Sequence, residues 1–224
     1  MSKLTCLLAI AIGSVVAATG TSNAGVINTY ADRLSFEADI SGIVTESFDS
    51  FASDATFHET SLDVGDFSLL SSGNTMDPVR RNKIDVPPLE FGLFSLNGST
   101  IANVSLNPGG TLLVTFEDAI MAFGADFAHL NNDMVRAEIV VNGETLNPGV
   151  AAADTPRFYG FTSDTPFTMV TFRGIVGTSG DGFGIDDVSY SEDCVTHNAT
   201  VPEPGTLLGF AAFALLAGGS RRRR

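Results

Sequence analysis

The chain has 224 residues, with 12 Lys and Arg against 26 Asp and Glu, a formal net charge of −14. Between residues 25 and 200 the imbalance is steeper, with seven basic residues against 25 acidic ones, a net of −18. Such a chain repels a nucleic-acid duplex and an anionic membrane surface, so nucleic-acid binding is excluded as a role; divalent cations or solubility outside a cell fit better.

In chain order, Lys3 supplies a positive start and Leu4 to Ala18 is almost wholly apolar, broken by Thr5, Cys6, Gly13 and Ser14. Ser22 and Ala24 then occupy the small-residue positions before a cut. That order predicts a secretory signal peptide over 1–24, removed by signal peptidase between Ala24 and Gly25. The apolar core is shorter than the roughly 20 residues that span a bilayer. Residues 25–200 are the size of one domain with a real core. Cys6 leaves with the signal, so Cys194 is the only mature cysteine and no internal disulfide can form.

Tyr30 to Asp39 carries apolar residues at Tyr30, Ala31, Leu34, Phe36 and Ala38, and the spacing of Tyr30, Ala31, Leu34 and Ala38 predicts a short helix. A strand is predicted over Ile43–Phe48. Met76 to Pro88 reads as loop. It holds the only basic cluster of the mature domain, Arg80, Arg81 and Lys83, either solvated or meeting an anionic polysaccharide. Turn signals recur at Gly73-Asn74, Asn97-Gly98, Pro108-Gly109-Gly110, Asn142-Gly143, Pro148-Gly149 and Ser179-Gly180. Between them, Thr111–Phe116, Met121–Phe127, Arg136–Val141, Phe167–Phe172 and Gly184–Tyr190 read as strands. Short strands at close spacing predict an all-β sandwich or barrel, with Asn142-Gly143 turning a tight hairpin.

Nothing in the chain assembles a catalytic framework. His58, His129 and His197 lack metal-ligand spacing, and no nucleophile-elbow, phosphate-loop or zinc-protease motif occurs. The reading is therefore not an enzyme. Carboxylates are abundant, however, so a secreted polysaccharide hydrolase using paired carboxylates stands as the alternative. Calcium, which takes about six to eight oxygen ligands, suits Asp181-Gly182 and Asp186-Asp187, three carboxylates on a Gly-rich turn and the strand after it. In a regular strand Ile185 and Asp187 share one face, Asp186 and Val188 the other. The competing reading is that Asp186 and Asp187 cap a turn or bond to backbone amides.

At the far end, Val201, Pro202, Glu203 and Pro204 precede an uncharged apolar stretch from Leu207 to Ala217, and Arg221, Arg222, Arg223 and Arg224 close the chain. Four arginines hold the cytoplasmic side, so the layout is that of a stop-transfer signal with its N-terminal side outside. Residues 201–224 resemble the PEP-CTERM sorting signal, a transmembrane helix plus Arg tail. The resemblance implies processing by exosortase in a Gram-negative bacterium that makes exopolysaccharide. It further implies an inner-membrane-tethered intermediate and then a cell-surface or extracellular product.

A second resemblance covers scattered parts of the mature chain. Tyr30 to Asp39, Thr45 to Asp49, Ala122 to Phe127, Tyr159 to Asp164 and Gly182 to Tyr190 look like segments of PEP-CTERM ectodomains, and the last is similar to the closing strand of jelly-roll carbohydrate-binding modules. What this implies is a jelly-roll-like β-sandwich with a short N-terminal helix. Structural calcium would join its first and last strands, held by Asp186 with Glu46 or Asp49 opposite. The implied role is a non-catalytic surface or matrix protein associated with exopolysaccharide or biofilm.

Overall fold

A computed structural model describes residues 25, 27–74, 81–89, 96, 98–132, 136–151, 155–175 and 181–194. Ala24 and the rest of the signal segment, the Pro-Glu-Pro motif, the apolar stretch and the Arg tail lie outside the described residues. What is described is almost all strand, paired antiparallel, with one six-residue helix.

Two long strands organise the molecule. β9 (Thr111–Ala128) and β12 (Arg157–Gly174) pair with each other along both halves. Their pairing shifts between Thr162 and Met169, where Glu117, Asp118 and Ala119 of β9 are all exposed and the in-out alternation fails. On one side of this corner, Thr111–Phe116 lies between β6 (Phe67–Ser72) and the second half of β12; β5 (Leu62–Asp63) extends the edge beyond β6. β10 (Ala137–Val141) and β11 (Glu144–Leu146) continue from β12. On the other side, β1 (Ile27–Tyr30) pairs with the first half of β12. There β9 is flanked by β13 (Asp181–Ser191), followed by β8 (Ile101–Leu106), β7 (Lys83–Asp85) and β4 (Ala55–Thr56). β8 takes the first residues of β13, and β3 (Val44–Glu46) takes Val188 to Tyr190. β2 (Ile40–Ser41) and β14 (Asp193–Cys194) form a separate pair.

The inner faces of the two halves share one core. Phe172 comes from one half, and its ring lies 6.3 Å from Phe123, 5.9 Å from Phe127 and 6.1 Å from Phe183 of the other. Alternation dictates this arrangement: Phe123, Ala125 and Phe127 point in, as do Leu112, Val114 and Phe116. The hairpin at Asn142-Gly143 forms as expected, both residues at positive φ (49° and 84°) and Val141 opposite Glu144.

Three sequence expectations are corrected. The helix α1 is Arg33–Ala38, capped by Asp32 Oδ1 accepting from Ser35 N, and Tyr30 belongs to β1. Its buried residue is Phe36, while Leu34 is 81% exposed. The helix is too short for a full apolar stripe and plugs one ring into the sheet. Lys83, read as loop, lies in the buried strand β7, because Asp54 and Asp85 neutralise its ammonium there. Finally, β13 carries a bulge. Asp186 pairs with Asp126 and Ser189 with Gly124, so β13 holds one extra residue, and Asp187 sits at φ 46°. The alternation resets there, and Val188 shares the core side with Ile185.

Candidate functional site

The β9 corner carries the candidate site. After inward Phe116, the strand turns Glu117 and Asp118 to solvent before Ile120 returns to the core. Asp66, just before β6, meets the corner: its carbonyl accepts from Glu117 N at 3.0 Å. Tyr190 of β13 donates its phenol to Asp66 Oδ2 at 2.7 Å and packs 5.0 Å from the Phe116 ring. Burial first, then the bond to Asp66 and the charges of Asp66 and Glu46, raise the Tyr190 pKa, so the phenol remains a donor. Gly42, at φ 64°, and Val44 supply the facing wall; Ser191, Glu192 and Asp193 supply the lip.

Together these residues enclose a cleft of about 340 Å³. Its lining holds five carboxylates, Asp66, Glu117, Asp118, Glu192 and Asp193, and no basic side chain. Ser191 Oγ bonds to Ser41 O and accepts from Asp193 N, so the lip is tied to the β2–β14 pair. The aromatic rings are floor and not platform: Phe116 and Tyr190 are buried, and none of the exposed large apolar residues among those described is aromatic. The cleft can therefore accept hydrogen bonds and attract positive charge, but it offers no ring for stacking. Sequence reasoning missed it because its residues are scattered from 42 to 193. The available signal was Glu117-Asp118 interrupting an otherwise apolar alternation.

The residues expected to hold calcium lie elsewhere. Asp186 is buried, facing away from the shared core beside Ser99 and across from Asp126. Its Oδ1 accepts from Asp187 N at 2.8 Å, the amide-bonding alternative raised by the sequence. Ser99 Oγ lies 2.5 Å from both Leu96 O and Asp186 Oδ2. A hydroxyl has one hydrogen, which Ser99 shares between those two acceptors. Burial, the largest cause, with the charges of Asp187 and Asp49, outweighs the bonds from Ser99 and Asp187 N and pushes the Asp186 pKa up to about 7.

Asp49 is thus close enough to Asp186 to be felt, and its Oδ1 accepts from Thr100 N at 3.4 Å. Glu46 turns its Oε1 to Phe48 N at 2.7 Å. Among the described residues no three such side chains gather where they could hold a metal. As placed, Asp186, Asp49 and Glu46 do not gather into a calcium cage.

Arg33 ties the helix to this region. Its guanidinium donates to Ser189 Oγ at 2.6 Å and to Asp126 Oδ2 and Asp187 O, both at 3.0 Å, and stacks 4.8 Å above the Phe158 ring. It thereby ties the bulge of β13 to β9 and to the Phe158 ring of β12 at one point.

Among the described residues no helix is long and apolar enough to cross a membrane. No protein-family model matches the chain, and no curated protein matches it. Two mutant forms of a family 29 carbohydrate-binding module are similar among solved structures. One is 13% identical and covers 68% of this chain and 93% of its own, with a TM-score of 0.39. The other is 14% identical and covers 67% and 85%, with a TM-score of 0.37.

Proposed function

We propose that this chain is an exported, non-catalytic surface or matrix protein built on a jelly-roll-like β-sandwich, whose acidic cleft holds an uncharged or amine-bearing polysaccharide. The observation that supports the reading is the cleft itself, five exposed carboxylates with no basic side chain. Carboxylates accept hydrogen bonds from sugar hydroxyls and pair with ammonium groups. They repel uronate and sulfate, so the polymer is not polyanionic. A hydrolase would need one carboxyl held protonated in the cleft facing a second. Asp186, the carboxyl pushed up to about 7, is not part of the lining.

Affinity electrophoresis tests this directly. The full chain should be retarded in gels containing a neutral glucan or a partly deacetylated amino-sugar polymer, and should migrate normally in a uronate polymer. Retardation by the uronate polymer alone would contradict the reading.

The route to the surface is part of the proposal. Signal peptidase cuts between Ala24 and Gly25. The stretch from Leu207 to Ala217 and Arg221 to Arg224 tether the intermediate in the inner membrane, and exosortase acts at Val201 to Pro204. Intact mass spectrometry of protein from the native cell surface should give a product that lacks Leu207 to Arg224. A mature product that keeps them would contradict exosortase processing.

A further inference from the structure

Beneath the sheet face of β7 and β8 lies a buried group of polar side chains with no part in the cleft. Lys83 and Asn103 are directly opposite one another in the antiparallel pairing of β7 with β8. Directly opposed residues carry Cβ atoms about 5 Å apart on one face. Asp85, two residues on from Lys83, shares that face. Its Oδ1 lies 3.3 Å from Lys83 Nζ, an ionic contact, and its Oδ2 accepts from Asn103 Nδ2 at 3.1 Å. One carboxylate therefore touches both an amine and a carboxamide. Exposure is 6% at Lys83, 1% at Asp85 and 0% at Asn103.

A second observation points the same way. Asn103 Oδ1 is buried with no hydrogen-bond partner, as are Ser105 Oγ and Asn82 Nδ2. Ser105 is two residues along the same face of β8, and its amide donates to Asn82 Oδ1 at 3.0 Å, which brings the Asn82 amide beside it. One orphaned acceptor thus shares a patch with two groups able to donate. Orphaned buried polar atoms are costly, and a group of them calls for a reason.

We propose that Lys83 and Asn103 join in an intramolecular isopeptide bond, with Asp85 as the proton-carrying catalytic residue. Lys83 Nζ passes a proton to Asp85 and adds to Cγ of Asn103, forming the new C–N bond. The carbonyl oxygen takes the negative charge on the side where Ser105 and Asn82 have hydrogens to spare. Asp85 returns the proton to Nδ2, the Cγ–Nδ2 bond breaks, and the nitrogen leaves as ammonia. Asp85 then carries the remaining Nζ proton to it. The sum is one ammonium and one carboxamide giving one secondary amide and one ammonium ion, with no oxidant or cofactor. Burial keeps water from competing for the carbonyl, and register supplies the proximity.

Asp54 is the rival acceptor, since its Oδ2 lies 2.5 Å from Nζ. Its burial is partial, and the bonds from Lys83 and Val86 N outweigh that burial and hold its carboxyl below the usual value. It stays a carboxylate, which an amine does not attack, and acts as counter-ion. The bond would close the stretch between residues 83 and 103 covalently, in a mature chain whose single cysteine allows no disulfide.

An Asp-specific endoprotease cuts before Asp85 and so separates Lys83 from Asn103 in the chain. Digestion of the purified full chain should leave the peptide ending at Ile84 joined to the one beginning at Asp85, lighter by one ammonia than their sum. Lys83→Arg and Asn103→Ala should each give separate peptides. Asp85→Asn removes that cut, so it should give one peptide spanning 77–117 at its full unmodified mass, with no ammonia lost, while keeping a native circular-dichroism spectrum, whereas Asp54→Asn should keep the joined pair. Separate, unmodified peptides from the wild type would overturn the proposal whether or not any variant folds. A joined pair lighter by one water would overturn the assignment to Asn103.

Discussion

Asp186 shows how one side chain sets a pH response. The unfolded chain releases this proton near the ordinary value of 3.8, while the folded chain keeps it up to about 7. Between those values the folded state binds more protons, so stability falls as pH rises, by about 1.4 kcal/mol per unit for one such group. The stabilisation is complete below the unfolded value and lost as pH passes through 7. Chemical denaturation from pH 4 to 8 should therefore show this decline, and Asp186→Asn should flatten it and gain stability at pH 8. A wild-type slope that Asp186→Asn leaves unchanged would contradict the assignment. The same experiment bears on calcium: any shift of Tm by calcium should be equal in wild type and Asp186→Asn. Arg33 is the cation at the neighbouring Asp126. Arg33→Ala removes hydrogen bonds to the buried Ser189 and the half-buried Asp126 and Asp187 and should cost about 2 kcal/mol. Lys at this position should recover little, since a point charge cannot bridge Ser189, Asp126 and the Asp187 carbonyl together.

The docking of α1 depends on two glycines that face each other across β9 and β12, Gly124 and Gly160. A Cβ at Gly124 would fall 2.5 Å from the Phe158 ring, and one at Gly160 would fall 2.9 Å from both Phe158 and Phe36. Gly124→Val should expel Phe158 and loosen the helix, which hydrogen exchange would detect as faster exchange in Phe36 to Asp39 and unchanged protection in β6. Phe36→Ala, at a fully buried site, should cost about 3–5 kcal/mol by denaturant titration.

Elements were legible in the sequence to different degrees for physical reasons. The alternation in Thr111–Phe116, Phe167–Phe172 and Arg136–Val141 marked strands because one face of each meets the core. That the first two belong to 18-residue strands bent at a corner was hidden, since Glu117 to Ala119 look like a turn. Lys83-Ile84-Asp85 looked like loop because its two opposite charges are paired with each other and with the distant Asp54 only once the chain is folded. The bulge at Asp187 was hidden because one extra residue in a strand leaves no compositional mark. The Asp186 locus was found, but its environment depends on Ser99, which no motif connects to it.

At the scale of the molecule, the charge of −18 on residues 25–200 is not spread evenly: five of its carboxylates converge on one cleft at the corner of β9. The all-β class was legible from composition and turns. The cleft was not, since β6, β9 and β13 must fold before Asp66, Glu117 and Tyr190 meet. If the cleft attracts amine-bearing sugars, the attraction is partly Coulombic and weakens with salt as the screening length shortens to about 8 Å at physiological ionic strength. The most direct measurement is isothermal titration of the full chain with amino-sugar oligomers at two ionic strengths, beside the double variant Glu117→Gln, Asp118→Asn. Both substitutions lie on exposed side chains and should leave Tm unchanged. Wild type should bind, more weakly at the higher salt, and the double variant should bind at least tenfold more weakly with a reduced salt dependence. Equal affinity of wild type and variant, with both folded, would contradict the assignment of the cleft.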